Sequence, residues 1–288
     1  MKTEKMEKCL FVITGDTFRL GGQRSPTKGG EESYRRQRLS TDSHLRFFEN
    51  IENKFNIKCD VFMNIYHCSD DYSDHYDDDF ANFYGDRVVS KTIHPSRMES
   101  EMHLAHDTTH RLSNFGIDDY RFVMFIRPDW YLKKYFVEIF NINDEQVLYA
   151  HLDAGYKLVE NPVGFVDIDN RRHDVPLVNH CITYCPKKHY DLLLQNNVWH
   201  WHDSLFKLRN YVDRSQYGFF IDTFHWCCTS LDWNPLYSLV GRPEHLEYLF
   251  PNLTYDIESN TVSRPNTLER YKDVLYTDTI EENLKNYE

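Results

Sequence analysis

The residues whose types could do chemistry fall in a few short stretches. The first is Thr14-Gly15-Asp16-Thr17-Phe18-Arg19-Leu20-Gly21-Gly22-Gln23-Arg24, directly after the apolar run Cys9 to Ile13. Glycine there lets the backbone approach a phosphate or a nucleobase, and Arg19 and Arg24 can pair with a diphosphate. The pattern is neither GxxxxGK[ST] nor GxGxxG, and Lys28-Gly29-Gly30 fails at the last P-loop positions. A plain surface loop accounts for the residues equally well. Its place after a first strand is what favours binding, with Thr14, Gly15, Arg19 and Arg24 as the contacts.

The sharpest stretch is Arg127-Pro128-Asp129-Trp130, which ends the apolar run Tyr120 to Ile126. Proline cannot continue a central ladder, so the strand stops and presents Arg127 and Asp129 at its tip. Asp129 could hold a divalent cation that bridges a diphosphate, since hard cations take oxygen ligands. Alternatively it caps a helix running from Trp130 to Phe140. His151 and Asp153, near the tip of a following strand, could complete such a site.

Two later stretches mix imidazole, carboxylate and indole. Trp199-His200-Trp201-His202-Asp203-Ser204-Leu205 opens a helical pattern, and its indoles suit a sugar ring. Asp203 is a general-base candidate there, with His202 taking that role if Asp203 is spent as a helix cap. No HExxH pattern exists to make the histidines a zinc site. Asp222-Thr223-Phe224-His225-Trp226 and Asp232-Trp233-Asn234-Pro235 follow, with His225 a candidate metal ligand or phosphate contact. Arg242 could serve a leaving phosphate.

These stretches need elements to position them. Cys9 to Ile13, Cys59 to Tyr66, Arg87 to Ile93, Tyr120 to Ile126 and Gln146 to Leu152 read as strands. Glu31 to Phe55, Glu99 to Leu112 and Lys133 to Phe140 read as helices, the first with Leu39, Leu45, Phe48 and Ile51 at helical spacing. That order predicts an α/β fold with a mainly parallel sheet flanked by helices. Ligands then sit outside the carboxyl ends of the strands, so the loops after Ile13, Tyr66, Ile126 and Leu152 would face one site. Further on, Asn179 to Tyr184 and Tyr217 to Phe224 read as strands, and Lys187 to Leu194 and Asp203 to Tyr211 as helices. Asp70 to Asp79 holds six aspartates in ten residues but lacks the EF-hand glycine and closing glutamate, so it reads as a solvated loop.

Composition bounds the rest. The chain has 288 residues, 45 acidic against 33 basic, and a formal charge of −12, which argues against non-specific nucleic-acid binding. Seven scattered cysteines suit buried, reduced thiols rather than a disulfide scaffold. The apolar run after the charged N-terminus is too short for a signal peptide, and no apolar run reaches the roughly 18 residues of a membrane span. A soluble, cytoplasmic protein without a membrane span is expected.

Taken together, these residues resemble the glycosyltransferases of the GT-A type. Phe125-Ile126-Arg127-Pro128-Asp129 looks like a DxD motif in which only the last aspartate remains, and Trp201-His202-Asp203-Ser204-Leu205 is similar to the acidic motif that supplies the base in inverting members. More narrowly, Thr14 to Gln23 and Asp232 to Arg242 resemble glycosyltransferases of large algal DNA viruses, the chlorella viruses, which glycosylate their own capsid proteins. The resemblance implies a single Rossmann-like GT-A domain over residues 1–288, with 1–155 as the nucleotide-binding half and 156–288 as the acceptor-binding half. It implies a nucleotide-sugar donor, such as UDP-xylose, and a glycan or glycoprotein acceptor. Thr14, Gly15, Arg19, Arg24 and Arg127 would hold the nucleotide, and Asp129 with His225 would hold Mg²⁺ or Mn²⁺. Asp203 or His202 would be the base, and Trp199, Trp201, Trp233 and Asp232 would form the acceptor walls. Arg127 stands where DxD has its first aspartate, and His202 stands where a second carboxylate is usual.

Two rival classes fit the same residues. A metal-dependent hydrolase or phosphodiesterase would use His151, Asp153, His200, His202 and Asp222. A non-catalytic carbohydrate-binding protein would need only the aromatic cleft.

Overall fold

Cys9 to Ile13 is apolar at every position, and a strand of that kind must be covered on both faces. In the computed structural model, Cys9, Phe11 and Ile13 enter one core and Leu10 and Val12 the other, all fully buried. The structure describes residues 6–20, 27–28, 30–67, 75–95, 101–132, 137, 140–149, 157–160, 163–166, 172–173, 182–196, 217–219, 228–230, 254–256 and 261–263.

In chain order the first strands are β1 (Lys8–Asp16), β2 (Arg19–Leu20), β3 (Thr27–Lys28), β4 (Lys58–Tyr66), β5 (Val88–His94) and β6 (Phe122–Ile126). Next come β7 (Trp130–Leu132), β8 (Val147–Tyr149), β9 (Lys157–Glu160), β10 (Val163–Val166) and β11 (Arg172–His173). The last are β12 (Ile182–Pro186), β13 (Tyr217–Phe219), β14 (Cys228–Ser230), β15 (Thr254–Asp256) and β16 (Thr261–Ser263). The helices are α1 (Glu31–Phe55), α2 (Tyr76–Tyr84), α3 (Glu101–Phe115) and α4 (Tyr190–Asn196).

The main sheet has seven strands in the order β13-β8-β12-β6-β1-β4-β5. β6, β1, β4 and β5 are parallel neighbours, and β12 runs against both β6 and β8. β13 pairs parallel with β8, so β12 alone among the seven is reversed. The fold is therefore the expected α/β, Rossmann-like arrangement with a mainly parallel sheet. One face of β1 and β4 packs against Phe47, Phe48 and Ile51 of α1 and Phe80 of α2. The other packs against Ala105 and Leu112 of α3 and Leu193 of α4.

α1 contains no glycine or proline over 25 residues and ends at Asn56, whose left-handed backbone (φ 55°) closes the last turn with its N–H on the Glu52 carbonyl. The predicted apolar stripe holds: Phe48 and Ile51 are fully buried, Leu39 nearly so, and Leu45 packs at the margin.

Two expectations need correction. Trp130–Leu132 is extended, not the start of a helix, and pairs antiparallel with β14. Asp129 is therefore not an N-cap. Of the Asp70 to Asp79 stretch expected as a solvated loop, residues 70–74 lie outside the described residues, and Asp77, Asp78 and Asp79 form the first turn of α2, where carboxylates suit the helix dipole. Each has a partner: His67 holds Asp77, Lys91 holds Asp78, and the Tyr34 hydroxyl donates to Asp79 at 2.9 Å. The helix expected over Asp203 to Tyr211 lies outside the described residues. Cys9, Cys59 and Cys185 are free and buried, as expected of reduced thiols.

Candidate functional site

β1, β4 and β6 run parallel in register, so their carboxyl tips lie side by side. At the β1 tip Gly15 has φ 129°, a backbone region that side-chain-bearing residues rarely adopt. A Cβ on Gly15 would stand 3.4 Å from the Pro128 ring. The first loop thus lies at contact distance from the tip of β6, and it is the positive φ, not lack of space, that calls for glycine. Three residues on, Phe18 also turns through positive φ (47°) and is fully buried, stacked near Tyr34 and tilted against Tyr76.

At the β6 tip, Arg127 and Asp129 engage each other two-pronged. Arg127 Nε donates to Asp129 Oδ1 at 2.9 Å and Nη2 to Oδ2 at 2.7 Å. The Asp129 side chain is 5% exposed and that of Arg127 15%. Such forked pairs fix both position and orientation. Pro128 between them has its carbonyl pinned from α1 by Gln37 Nε2 (2.8 Å) and Ser40 Oγ (2.9 Å).

The pinning continues along a buried polar stripe of α1. Gln37 Oε1 accepts the Phe18 N–H at 2.9 Å, so one side chain ties the β1 loop to the β6 tip. The single Ser40 hydroxyl proton is shared between the Pro128 carbonyl and the Trp130 carbonyl (2.6 Å), and Ser43 Oγ accepts the Leu132 N–H. His44 sits between the Trp130 carbonyl (2.7 Å from Nε2) and the Tyr84 hydroxyl (2.8 Å from Nδ1). A carbonyl only accepts, which assigns the proton to Nε2 and leaves Nδ1 to accept from Tyr84. Burial lowers His44 from its usual 6.5 to about 4, although the Trp130 carbonyl and the Asp129 charge pull it upward. Sequence reasoning missed these residues. The polar positions 33, 37, 40 and 44 recur at helical spacing, but nothing in the spacing says that a backbone segment covers them.

On the other face, Thr14 Oγ1 meets Thr108 Oγ1 of α3 at 3.3 Å, and Asn64 Nδ2 donates to Thr108 and to Asp107. His94 Nε2 lies 2.8 Å from Asn64 Oδ1, and Arg111 Nε donates to Asp107 at 2.6 Å. Burial pushes the Asp107 carboxyl up, but hydrogen bonds from Arg111 and Asn64 and the charges of Arg111 and His94 outweigh it and hold it below 3.8. Thr14, expected at the nucleotide, thus turns its hydroxyl toward α3. The β4 tip carries His67, whose Nδ1 is held by the buried Asp77 carboxylate.

The structure therefore brings together Gly15, Arg127 and Asp129. It places Arg19 in the short β2–β3 hairpin, opposite Lys28. Arg24, His151, Asp153, Trp199, His200, Trp201, His202, Asp203, Asp222, His225, Asp232, Trp233 and Arg242 lie outside the described residues.

Asp129 was expected to hold Mg²⁺ or Mn²⁺. Both of its oxygens are bonded to Arg127, and a dication on either would stand beside a guanidinium cation. Among the described residues, no group of three or more His, Cys, Asp and Glu side chains converges as a metal site. As arranged, the β6 tip does not fit a divalent cation on Asp129. No helix among the described residues is long and apolar enough to cross a membrane.

No protein-family model matches the chain, and no curated protein matches it by sequence. Solved structures do resemble it at low identity. One is a glycosyltransferase involved in glycosylation of the major capsid of PBCV-1, at 8% identity and TM-score 0.35, covering 83% of this chain and 89% of that one. Another is the bifunctional glycosyltransferase WbbM, at 12% identity and TM-score 0.37, covering 76% of this chain and 39% of that one. A third is the inositol-1-phosphate CTP transferase from T. maritima, at 10% identity and TM-score 0.44, covering 84% and 97%. At such identities and TM-scores these likenesses carry no argument about what this chain does.

Proposed function

We propose that the chain is a glycosyltransferase that moves a sugar from a nucleotide-sugar donor to a glycan acceptor. One observation carries the reading: at the carboxyl edge of a mainly parallel sheet, a glycine-bearing first loop lies against a strand tip that presents a pinned arginine. That edge is where α/β sheets take ligands, and a close backbone with a guanidinium suits a diphosphate.

In this reading residues 1–155 hold the donor and residues 156–288 the acceptor. The Gly15 backbone, Arg19, Arg24 and Arg127 hold the nucleotide. Trp199, Trp201, Trp233 and Asp232 wall the acceptor. Asp203, with His202 beside it, takes the acceptor hydroxyl proton while that oxygen bonds to the anomeric carbon. The bond from that carbon to the diphosphate breaks, the nucleoside diphosphate leaves with its electrons, and the centre inverts. UDP-xylose is the proposed donor and a viral capsid glycan the proposed acceptor.

A thermal-shift panel of UDP, GDP, CMP and their sugars tests this. A ligand at about 100 times its dissociation constant adds ~2.7 kcal/mol of stability, a visible rise in Tm. A rise with one nucleotide family is expected. A flat panel at saturating ligand would sink the donor reading, and glycan binding without nucleotide would favour the carbohydrate-binding alternative. Asp203→Ala should lower turnover by about 10²–10⁴ while donor binding persists.

A further inference from the structure

We infer that the donor diphosphate is met by Arg127, held in place by Asp129, and that nucleotide binding needs no divalent cation. The inference rests on the donor reading above. It departs from that reading's usual chemistry, in which an aspartate at this strand tip coordinates the metal.

A DxD tip places two carboxylates one residue apart, and their combined charge attracts a dication. Here the first of the two positions is Arg127, so the tip Arg127-Pro128-Asp129 has no net charge. The structure shows how that neutrality is used. Both Asp129 oxygens accept from the same guanidinium, at 2.9 and 2.7 Å, with Asp129 nearly fully buried. A buried carboxylate of this kind already has its counter-ion, and a dication on one of its remaining lone pairs would stand against the Arg127 guanidinium and be repelled by it.

The surroundings are built to hold the pair rather than to open it. Pro128 fixes the backbone between the partners, and its carbonyl receives two buried donors from α1, Gln37 and Ser40. Gln37 reaches simultaneously to the Phe18 N–H, so the β1 loop and the arginine keep one relative position. His44, neutral and fully buried behind the tip, fixes the Trp130 carbonyl and brings no charge of its own. Asp129 is then a positioning residue: it takes the Nε–Nη2 edge of the guanidinium and so orients the other edge, whose planar N–H groups suit a phosphate.

Titration calorimetry of the full chain with UDP, GDP and CDP, once in EDTA and once in Mn²⁺, decides the matter without any variant. For the nucleotide that binds, the dissociation constants in the two media should agree within about threefold. Arg127→Lys keeps the charge but loses the fork, and should weaken binding about tenfold or more in both media. Asp129→Asn should weaken it to a similar extent in both, because the fork loses its orienting partner.

A tenfold or greater gain of wild-type affinity in Mn²⁺ overturns the inference, whichever residue holds the ion, while leaving the donor reading intact. Loss of such a gain in Asp129→Asn would make Asp129 the metal ligand after all. Failure of all three nucleotides to bind in either medium overturns both readings together.

Discussion

Gly15 shows how much of the site depends on one backbone conformation. Its φ of 129° is strained for any residue with a Cβ, and the Pro128 ring at 3.4 Å leaves that Cβ only ordinary contact distance. Gly15→Ala should therefore cost about 1–3 kcal/mol in urea unfolding, mostly as backbone strain. A loss below about 0.5 kcal/mol would mean that the backbone at residue 15 relaxes out of the positive-φ region at little cost. The need for a glycine after the first strand was legible in the sequence, as was the stop at Pro128. The partnership of Arg127 with Asp129 was not, because two residues on either side of a proline can point together or apart. The sequence placed both at the tip, and only the three-dimensional arrangement shows them bonded.

At the scale of elements, α1 is a clamp as well as a core helix. Its later half, with Phe47, Phe48 and Ile51, packs on the sheet, while Gln37, Ser40, Ser43 and His44 bind the backbone from Pro128 to Leu132. The apolar half was readable from periodicity. The polar half has the same periodicity but reads as a solvent face, since spacing does not reveal what covers it. Strand order shows a similar limit: the parallel run of β1, β4 and β6 follows from the alternation of strands and helices. The reversal of β12 does not, because a short apolar run looks alike in either direction. The clamp predicts an order of effects. Gln37→Leu leaves the buried Phe18 N–H without its acceptor and should cost about 1–3 kcal/mol. Ser40→Ala should cost less, about 1 kcal/mol, because the Pro128 carbonyl keeps Gln37 and the Trp130 carbonyl keeps His44. Urea unfolding of the two variants checks the order, and equal or reversed losses would contradict the two-way role of Gln37.

For the whole molecule, acid should disturb two hydrogen-bonded arrangements, one buried and one half-buried, in separate pH windows. His44 has a folded pKa of about 4 against an ordinary 6.5, so the unfolded chain takes up a proton that the folded chain refuses. Its contribution is complete above pH 6.5 and is lost as pH falls to about 4, at no more than ~1.4 kcal/mol per pH unit and roughly 3 kcal/mol in all. Asp107 is also depressed, below its usual 3.8, and its share is lost only at lower pH, as its carboxylate protonates and releases Arg111 and Asn64. The net charge of −12 acts in the opposite sense, since acid relieves repulsion among 45 acidic side chains. That relief is a surface effect and salt screens it, whereas the proton refused by buried His44 persists at high ionic strength. Urea unfolding across pH 7 to 4 in high salt should therefore show falling stability. His44→Gln can still donate to the Trp130 carbonyl and accept from Tyr84 but cannot titrate, so it should flatten that slope. An unchanged slope in the variant would show that His44 is not the group whose protonation opens the clamp behind the β6 tip.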